Sequence, residues 1–234
     1  MKTKTIKIAH LYYDLMNLYG EVGNVRALKM FIERQGLEPE IHFLTIDDKI
    51  DFQAYDLYYI GAGSEDNQLI VLEDLMKYKD DIKKSIESGK MYLATGNTME
   101  LFGQKIKKKT GEIIPCLGVF EYQACEQDKR LVSEIRYVYD ELEKDKGRDI
   151  LGFKNCSCNI LHNKYRMFGF PNNINYKNFY GMEFVGPLLI RNPYFTDMLL
   201  KKLFKEKKIN YKEDDSSIEY RAYHEYLRSF PIED

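Results

Sequence analysis

No run of the chain is apolar for long enough to span a bilayer, since a spanning helix needs about 20 such residues. The opening residues MKTKTIKIAHLYYD lack the apolar stretch and small-residue cleavage site of a secretory signal. Neither sign of charge is in excess. Lys plus Arg number 35 and Asp plus Glu 37, a net charge of −2, which gives no general electrostatic case for nucleic acid or an anionic membrane surface. The basic run Lys105, Lys107, Lys108 and Lys109 is short and reads as a solvated face. A cytoplasmic protein is expected, with no nucleic-acid partner and no membrane insertion.

Cysteine is also sparse. Four cysteines in 234 residues do not make a disulfide framework in a chain this large. Cys156-Ser157-Cys158, followed by His162, puts two thiols on one strand face. A second pair at metal-ligand spacing is missing, so core or half-buried positions are expected and no metal. Neither an internal repeat nor a linker is visible, and a single domain over residues 1–234 is the simplest account.

What is present suits an α/β core. Apolar residues make up 44% of the chain and aromatic residues 14%, ample for a large interior. Strand candidates at Thr5–Tyr13, Glu40–Ile46, Tyr55–Ile60 and Met91–Thr95 alternate with helical stripes. One stripe carries Val25, Leu28, Phe31 and Ile32, and another, over 66–88, carries Leu69, Leu72, Leu75, Ile82 and Ile86. This alternation predicts a mostly parallel central sheet with helices on both faces. Past the Lys-rich stretch, Gly118–Ala124 and Leu131–Tyr139 read as strands joined by a polar hairpin. Ile150–Leu161 reads as another strand, residues 171–178 as Asn-rich turns, and Asn192-Pro193 as the start of a last amphipathic helix. The C-terminal part is therefore expected to be more antiparallel.

Ligands of such sheets bind at the carboxyl ends of the parallel strands. Three loops should meet there: LYGEVGN (18–24), GAGSEDNQ (61–68) and TGNTME (95–100). Gly61 and Gly63 allow close backbone approach, and peptide N–H groups there suit a developing oxyanion, although ordinary strand-to-helix turns carry glycine too. MYLATGNTMELFG (91–103) has the layout of a strand, a tight turn and a helix that lifts a reactive group above a sheet. Its apex is Gly96, which has no side chain.

These blocks resemble the class I glutamine amidotransferases, in particular the amidotransferase subunit of lipid II isoglutaminyl synthase and, more distantly, the glutaminase domain of cobyric acid synthase. DLMNLYGEVGNVRAL (14–28) is similar to the family's N-L-Y-G-D-x-G-N, and IGAGSEDNQ (60–68) to its G-G-G-Q-D-x-E-Q. ILGFKNCSCNIL (150–161) resembles G-F-E-N-H-S-G, FGFPNN (168–173) resembles G-x-G-N-N, and YGMEFVGPLLIRNP (180–193) resembles G-T-Y-L-H-G-P-L-L-x-x-N-P. The blocks follow in family order. The resemblance implies a flavodoxin-like amidotransferase fold, no cofactor, a glutamine-like ligand and a Mur-ligase-like ATP-dependent partner in peptidoglycan stem amidation.

It also marks departures. The family's C-G-G-Y-Q-L-L-G elbow reads GNTMELFG (96–103) here, so Gly96 stands at the nucleophile position and Val185 at the base position of H-G-P. The thiolate that attacks the amide and the histidine that activates it are both replaced. The resemblance leaves Gly61, Ala62 and Gly63, with the N–H of Asn97, as remnants of an oxyanion hole. Arg130 falls where the family holds the glutamine carboxylate, and an exposed hairpin charge is the competing reading of the same residue. Glu100 replaces a glutamine and Cys156 a histidine. A non-catalytic partner subunit is expected. The alternative is a glutaminase, or other amide chemistry, running by a non-family route and supplying ammonia to a synthase; a small-molecule sensor is a third reading.

Overall fold

The computed structural model describes residues 5–139, 141–142, 149–167 and 170–230. The stretch Leu57-Tyr58-Tyr59-Ile60 explains why its centre is a sheet. All four residues are buried, with Leu57 and Tyr59 in one core cluster and Tyr58 and Ile60 in another. A period of two with both faces covered is what a central parallel strand requires.

Four strands, β1 (Lys7–Leu11), β2 (Glu40–Leu44), β3 (Leu57–Ile60) and β4 (Met91–Thr95), run parallel in the spatial order β2-β1-β3-β4. Beyond β4 the same sheet continues through β11 (Phe179–Met182), which is parallel to β4, then β10 (Phe170–Tyr176) and β9 (Arg166–Met167), which are antiparallel. A second sheet has the order β12 (Phe184–Val185), β8 (Asp149–Leu161), β7 (Gln123–Val138), β5 (Lys105–Lys107), β6 (Ile113–Pro115).

Helix α1 (Val22–Arg34) covers one face of the main sheet together with α4 (Leu188–Arg191), α5 (Pro193–Glu206) and α6 (Ile218–Ser229). Val25, Leu28, Leu199, Leu203 and Tyr220 share one core cluster there. On the other face lie α2 (Glu65–Met76) and α3 (Lys79–Glu87), which bury Val71, Leu75, Ile82 and Ile86. Among the described residues no helix is long and apolar enough to cross a membrane.

Several elements differ from the sequence expectation. The stripe over 66–88 is two helices, because Tyr78 leaves helical geometry (φ −112°, ψ 13°). Its hydroxyl donates to Asp48 O at 3.1 Å and its ring packs on Phe52. The expected hairpin near 125–130 is the middle of a single 16-residue strand. That strand pairs with β8 on both sides of the polar run, which is an irregularity in register between Glu126 and Leu131. Residues 116–120 are not strand. They wrap the turn after β4, with Leu117 N–H donating to Leu101 O (3.0 Å) and Phe120 N–H to Phe102 O (3.0 Å). Residues 171–176, expected as turns, belong to β10, while Phe168 and Gly169 of the FGFPNN block lie outside the described residues. Helix α6 has no counterpart in the sequence expectation, and it carries His224.

One buried side chain fastens the second sheet to the helical layer. Asn192, 1% exposed, takes the Leu151 N–H at 2.7 Å and donates to Leu151 O at 2.7 Å and Leu188 O at 2.8 Å. Asn192→Ala strands both Leu151 backbone groups, and orphaned buried polar groups cost about 1–3 kcal/mol each. The variant should lose about 3 kcal/mol in a urea titration, read as a lower midpoint at unchanged slope.

Candidate functional site

The loops that follow β1, β3 and β4 meet at the carboxyl end of the parallel strands. Leu18 N–H donates to Ala62 O (3.0 Å), and Asn67 Nδ2 to Leu15 O (2.9 Å). Gln68 Nε2 donates to Asn97 O (2.6 Å). Ser64 caps α2 by accepting the Asn67 N–H at 3.2 Å, the usual remedy for unpaired first-turn donors.

At the apex, Gly96 has φ +61°, the left-handed region that costs other residues strain. The chain then enters a 3-10 turn, Gly96–Phe102, in place of the expected α-helix. A Cβ at Gly96 would lie 2.5 Å from Ala62 Cβ and 2.9 Å from Val185 Cγ1. Carbon atoms in contact rest near 3.5–4.0 Å, so the place of a side chain at the apex is already filled. Gly96 and Val185, which stand at the nucleophile and base positions by resemblance, are thus neighbours in space.

Beneath the apex lies a carboxylate that sequence reasoning passed over. Glu21 is fully buried. Its Oε2 accepts Tyr59 OH at 2.6 Å and Thr95 Oγ1 at 2.8 Å, and its Oε1 accepts the Gly186 N–H at 2.5 Å. Burial raises its pKa, and these donors together with the Ala62 N–H pull it back. Asn24 completes the set: Nδ2 donates to Tyr59 OH (2.7 Å) and Gly186 O (3.0 Å), while Oδ1 accepts the Leu189 N–H (2.8 Å). The available signal is the acid inside LYGEVGN, which the family block contains without a role of its own.

The structure brings Gly61, Ala62, Gly63 and Asn97 together, and the Gly63 N–H is already taken. Gly63 N–H donates to Asn97 Oδ1 at 3.2 Å and Asn97 Nδ2 returns a bond to Gly63 O at 3.0 Å. The Asn97 side chain therefore occupies the Gly63 part of the expected oxyanion-hole remnant. The Ala62 N–H lies near enough to Glu21 to help lower its pKa. Thr95 and Thr98 are both fully buried, the latter donating to Gly61 O. Neither hydroxyl is presented to the cleft.

Arg130 lines the cleft from an exposed position on the irregular stretch of β7, where a hairpin was the competing expectation. It sits at the lip of the cleft, and bulges near sites often re-aim side chains. Its guanidinium pairs with Glu65 and donates to Asn155 Oδ1 at 3.0 Å. Tyr19, Cys156, Ser157, Asn97 and Val185 line the same cavity, of only about 20 Å³, room for about one water. Burial pushes the Cys156 thiol up to about 11, so it is no thiolate at neutral pH.

A family model for the CobB/CobQ-like glutamine amidotransferase domain matches residues 7–180. The chain belongs to this family. It is 29% identical over 230 residues to the lipid II isoglutaminyl synthase (glutamine-hydrolyzing) subunit GatD of Staphylococcus aureus (strain N315), covering 93% of each chain. It is also 29% identical over 217 residues to the protein of the same name in Streptococcus pneumoniae (strain ATCC BAA-255 / R6), covering 86% of this chain and 82% of that one. Two solved structures share the fold: PurLQS from Thermotoga maritima, at TM-score 0.54 and 12% identity over 88% of this chain and 98% of that one, and a glutamine amidotransferase, at TM-score 0.53 and 15% identity over 86% and 99%. The class I amidotransferase fold expected from the sequence is the fold observed.

Within this family scaffold, Glu100 gives the site a pH dependence. It is buried, with Gln68 Nε2 donating to its Oε2 at 3.1 Å, and desolvation raises its pKa to about 7 from 4.5. The folded state therefore holds this proton more tightly than the unfolded chain. Its contribution to stability is fully present below pH 4.5 and lost as pH rises through about 7. Glu100→Gln removes that loss. Relative to wild type, the variant should gain on the order of 3 kcal/mol between pH 4.5 and pH 8, measured by paired denaturant titrations.

Proposed function

We propose that this chain is a non-catalytic amidotransferase-like subunit that acts in the cytoplasm as the binding or regulatory partner of a Mur-ligase-like ATP-dependent enzyme in peptidoglycan stem amidation. One observation carries the loss of chemistry. The space that a nucleophile at position 96 needs is taken by Ala62 and Val185, at 2.5 and 2.9 Å from its Cβ. By resemblance, the thiol and its histidine base are both replaced, at Gly96 and Val185. Amide hydrolysis through a thioester then has no attacking atom and no proton carrier. The Gly63 N–H is engaged inside the protein by Asn97 Oδ1, which takes that donor away from a developing transition-state charge.

The partner follows from resemblance and from the relatives' names, which describe subunits of a lipid II isoglutaminyl synthase. The loops that frame the cleft keep their mutual bonds although the reaction centre is filled, which suits a surface retained for docking. Co-purification from the native source under gentle conditions, followed by mass spectrometry, should recover a ligase-like chain. Isolation of the protein free of any such chain would count against the partnership.

The alternative of hydrolysis by another route has little to work with. Thr95 and Thr98 are enclosed, and the Cys156 thiol is held protonated. The pure protein, alone or with its partner, should release no ammonia from glutamine above background. Turnover that is present in wild type and vanishes on Cys156→Ala would restore the enzymatic reading.

The packing also sets what restoration requires. Gly96→Cys alone forces a Cβ into the Ala62 methyl and should cost about 2 kcal/mol or more, as overpacking does, with no activity gained. Adding Val185→His returns a base but leaves the 2.5 Å clash with Ala62. Only the triple variant with Ala62→Gly clears the apex, and its thermal melting temperature should exceed that of the Gly96→Cys/Val185→His double variant.

A further inference from the structure

Arg130 is the arginine that lines the small cleft, and its partner there is a carboxylate of the same chain. Four segments contribute. Glu65 comes from the first turn of α2, Arg130 from the irregular stretch of β7, Asn155 and Ser157 from β8, and Tyr19 from the loop after β1. The Arg130 guanidinium pairs with Glu65 and donates to Asn155 Oδ1 (3.0 Å), while Asn155 Nδ2 donates to Tyr19 OH (2.8 Å) and Ser157 Oγ lies 3.5 Å from Glu65 Oε1. The chain of bonds crosses the mouth of the cleft from one lip to the other.

A guanidinium offers a planar fork that matches a carboxylate. Here the fork sits on an interruption of the β7–β8 ladder between Glu126 and Leu131, at the lip of the cleft. The carboxylate it meets is tethered, and the residual cavity of about 20 Å³ admits no second one. We infer that Glu65 is an autoinhibitory latch: it occupies the Arg130 fork as an intramolecular carboxylate and closes the cleft to small carboxylate ligands.

The latch is built to open. Both side chains are 42% exposed, and ion pairs in that setting are weak and salt-screened. The backbone ladders and core clusters that hold the sheets and helices together do not run through this pair, so it is removable without the fold. The inference concerns the cleft of the proposed non-catalytic subunit but does not depend on its inactivity, because it is tested by binding.

The test titrates acetate and, separately, L-glutamine into the full chain at low salt, following the Arg130 Nε–H resonance by nuclear magnetic resonance. Wild type, Glu65→Ala and Glu65→Ala/Arg130→Gln are compared for affinity, each first shown to be folded by its amide spectrum; the double variant, which lacks that resonance, is followed by the amide signals of the cleft. Glu65→Ala should bind acetate about fivefold more tightly than wild type or better, the fold-change of a released surface pair. Adding Arg130→Gln should abolish that gain. Added salt should narrow the difference between wild type and Glu65→Ala. Unchanged acetate affinity in Glu65→Ala, or a gain that persists without Arg130, would overturn the latch. Ammonia appearing in the glutamine arm would instead overturn the inactivity reading, and the acetate arm would still decide the latch.

Discussion

The cleft is organised around one carboxylate without a cation. Glu21 lies fully buried, and the groups that meet it come from separate parts of the chain: Tyr59 on β3, Thr95 at the end of β4, and Gly186 just past β12. An isolated buried charge is costly, and among the described residues no lysine or arginine is bonded to this one. What offsets the cost is a set of converging hydroxyl and peptide donors, each a charge-assisted bond when Glu21 is ionised. Each donor is fixed by the element that bears it. The carboxylate therefore ties the two central strands to Gly186, the residue that follows Val185. It fixes the geometry of the apex from below.

That constraint explains how a reaction centre can be filled while its frame persists. Ala62 and Val185 close on Gly96, and Glu21 holds the residue after Val185 through the Gly186 N–H. Asn97 finishes the closure with its reciprocal amide bonds to Gly63. None of these contacts strains the sheet, and β3 and β4 pair in regular parallel register up to Ile60 and Ala94. Chemistry and scaffold thus separate cleanly at the ends of the strands. Small side-chain changes at the apex leave the layers beneath untouched.

The centre of the main sheet was legible because both faces of its inner strands are apolar, as in Leu57–Ile60, and Met91–Thr95 appears with the boundaries read from sequence, whereas the antiparallel edge at β10 read as turns. The second sheet was harder. Gln127–Arg130 is polar enough to read as a turn, yet the long ladder with β8 carries it as an irregularity, a tertiary pairing that outweighs local composition. At the site, motif matching found Gly96 and Val185 but missed Glu21, whose role is visible only once Tyr59, Thr95 and Gly186 stand around it. Likewise Ala62 reads as a mild substitution in a glycine loop. Its methyl becomes decisive only against the apex. Arg130 had two readings from sequence, and the structure places it, exposed, at the lip of the cleft on an irregular stretch of β7.

The two ends of the cleft differ in strength for the same reason that they differ in burial. The floor is dry: Glu21, Asn24, Tyr59 and Thr95 are enclosed, and their hydrogen bonds act in a low dielectric where each broken bond leaves an orphaned polar group. The lip is wet: Arg130 and Glu65 are each 42% exposed, and water competes for both. Opening therefore begins at the lip and stops at the floor. A ligand or partner that competes for Arg130 can widen the mouth without disturbing the sheet, whereas replacing Glu21 or Asn24 perturbs strand ends, loop and apex together. The conformational freedom of the cleft is thus confined to the side chains that face outward.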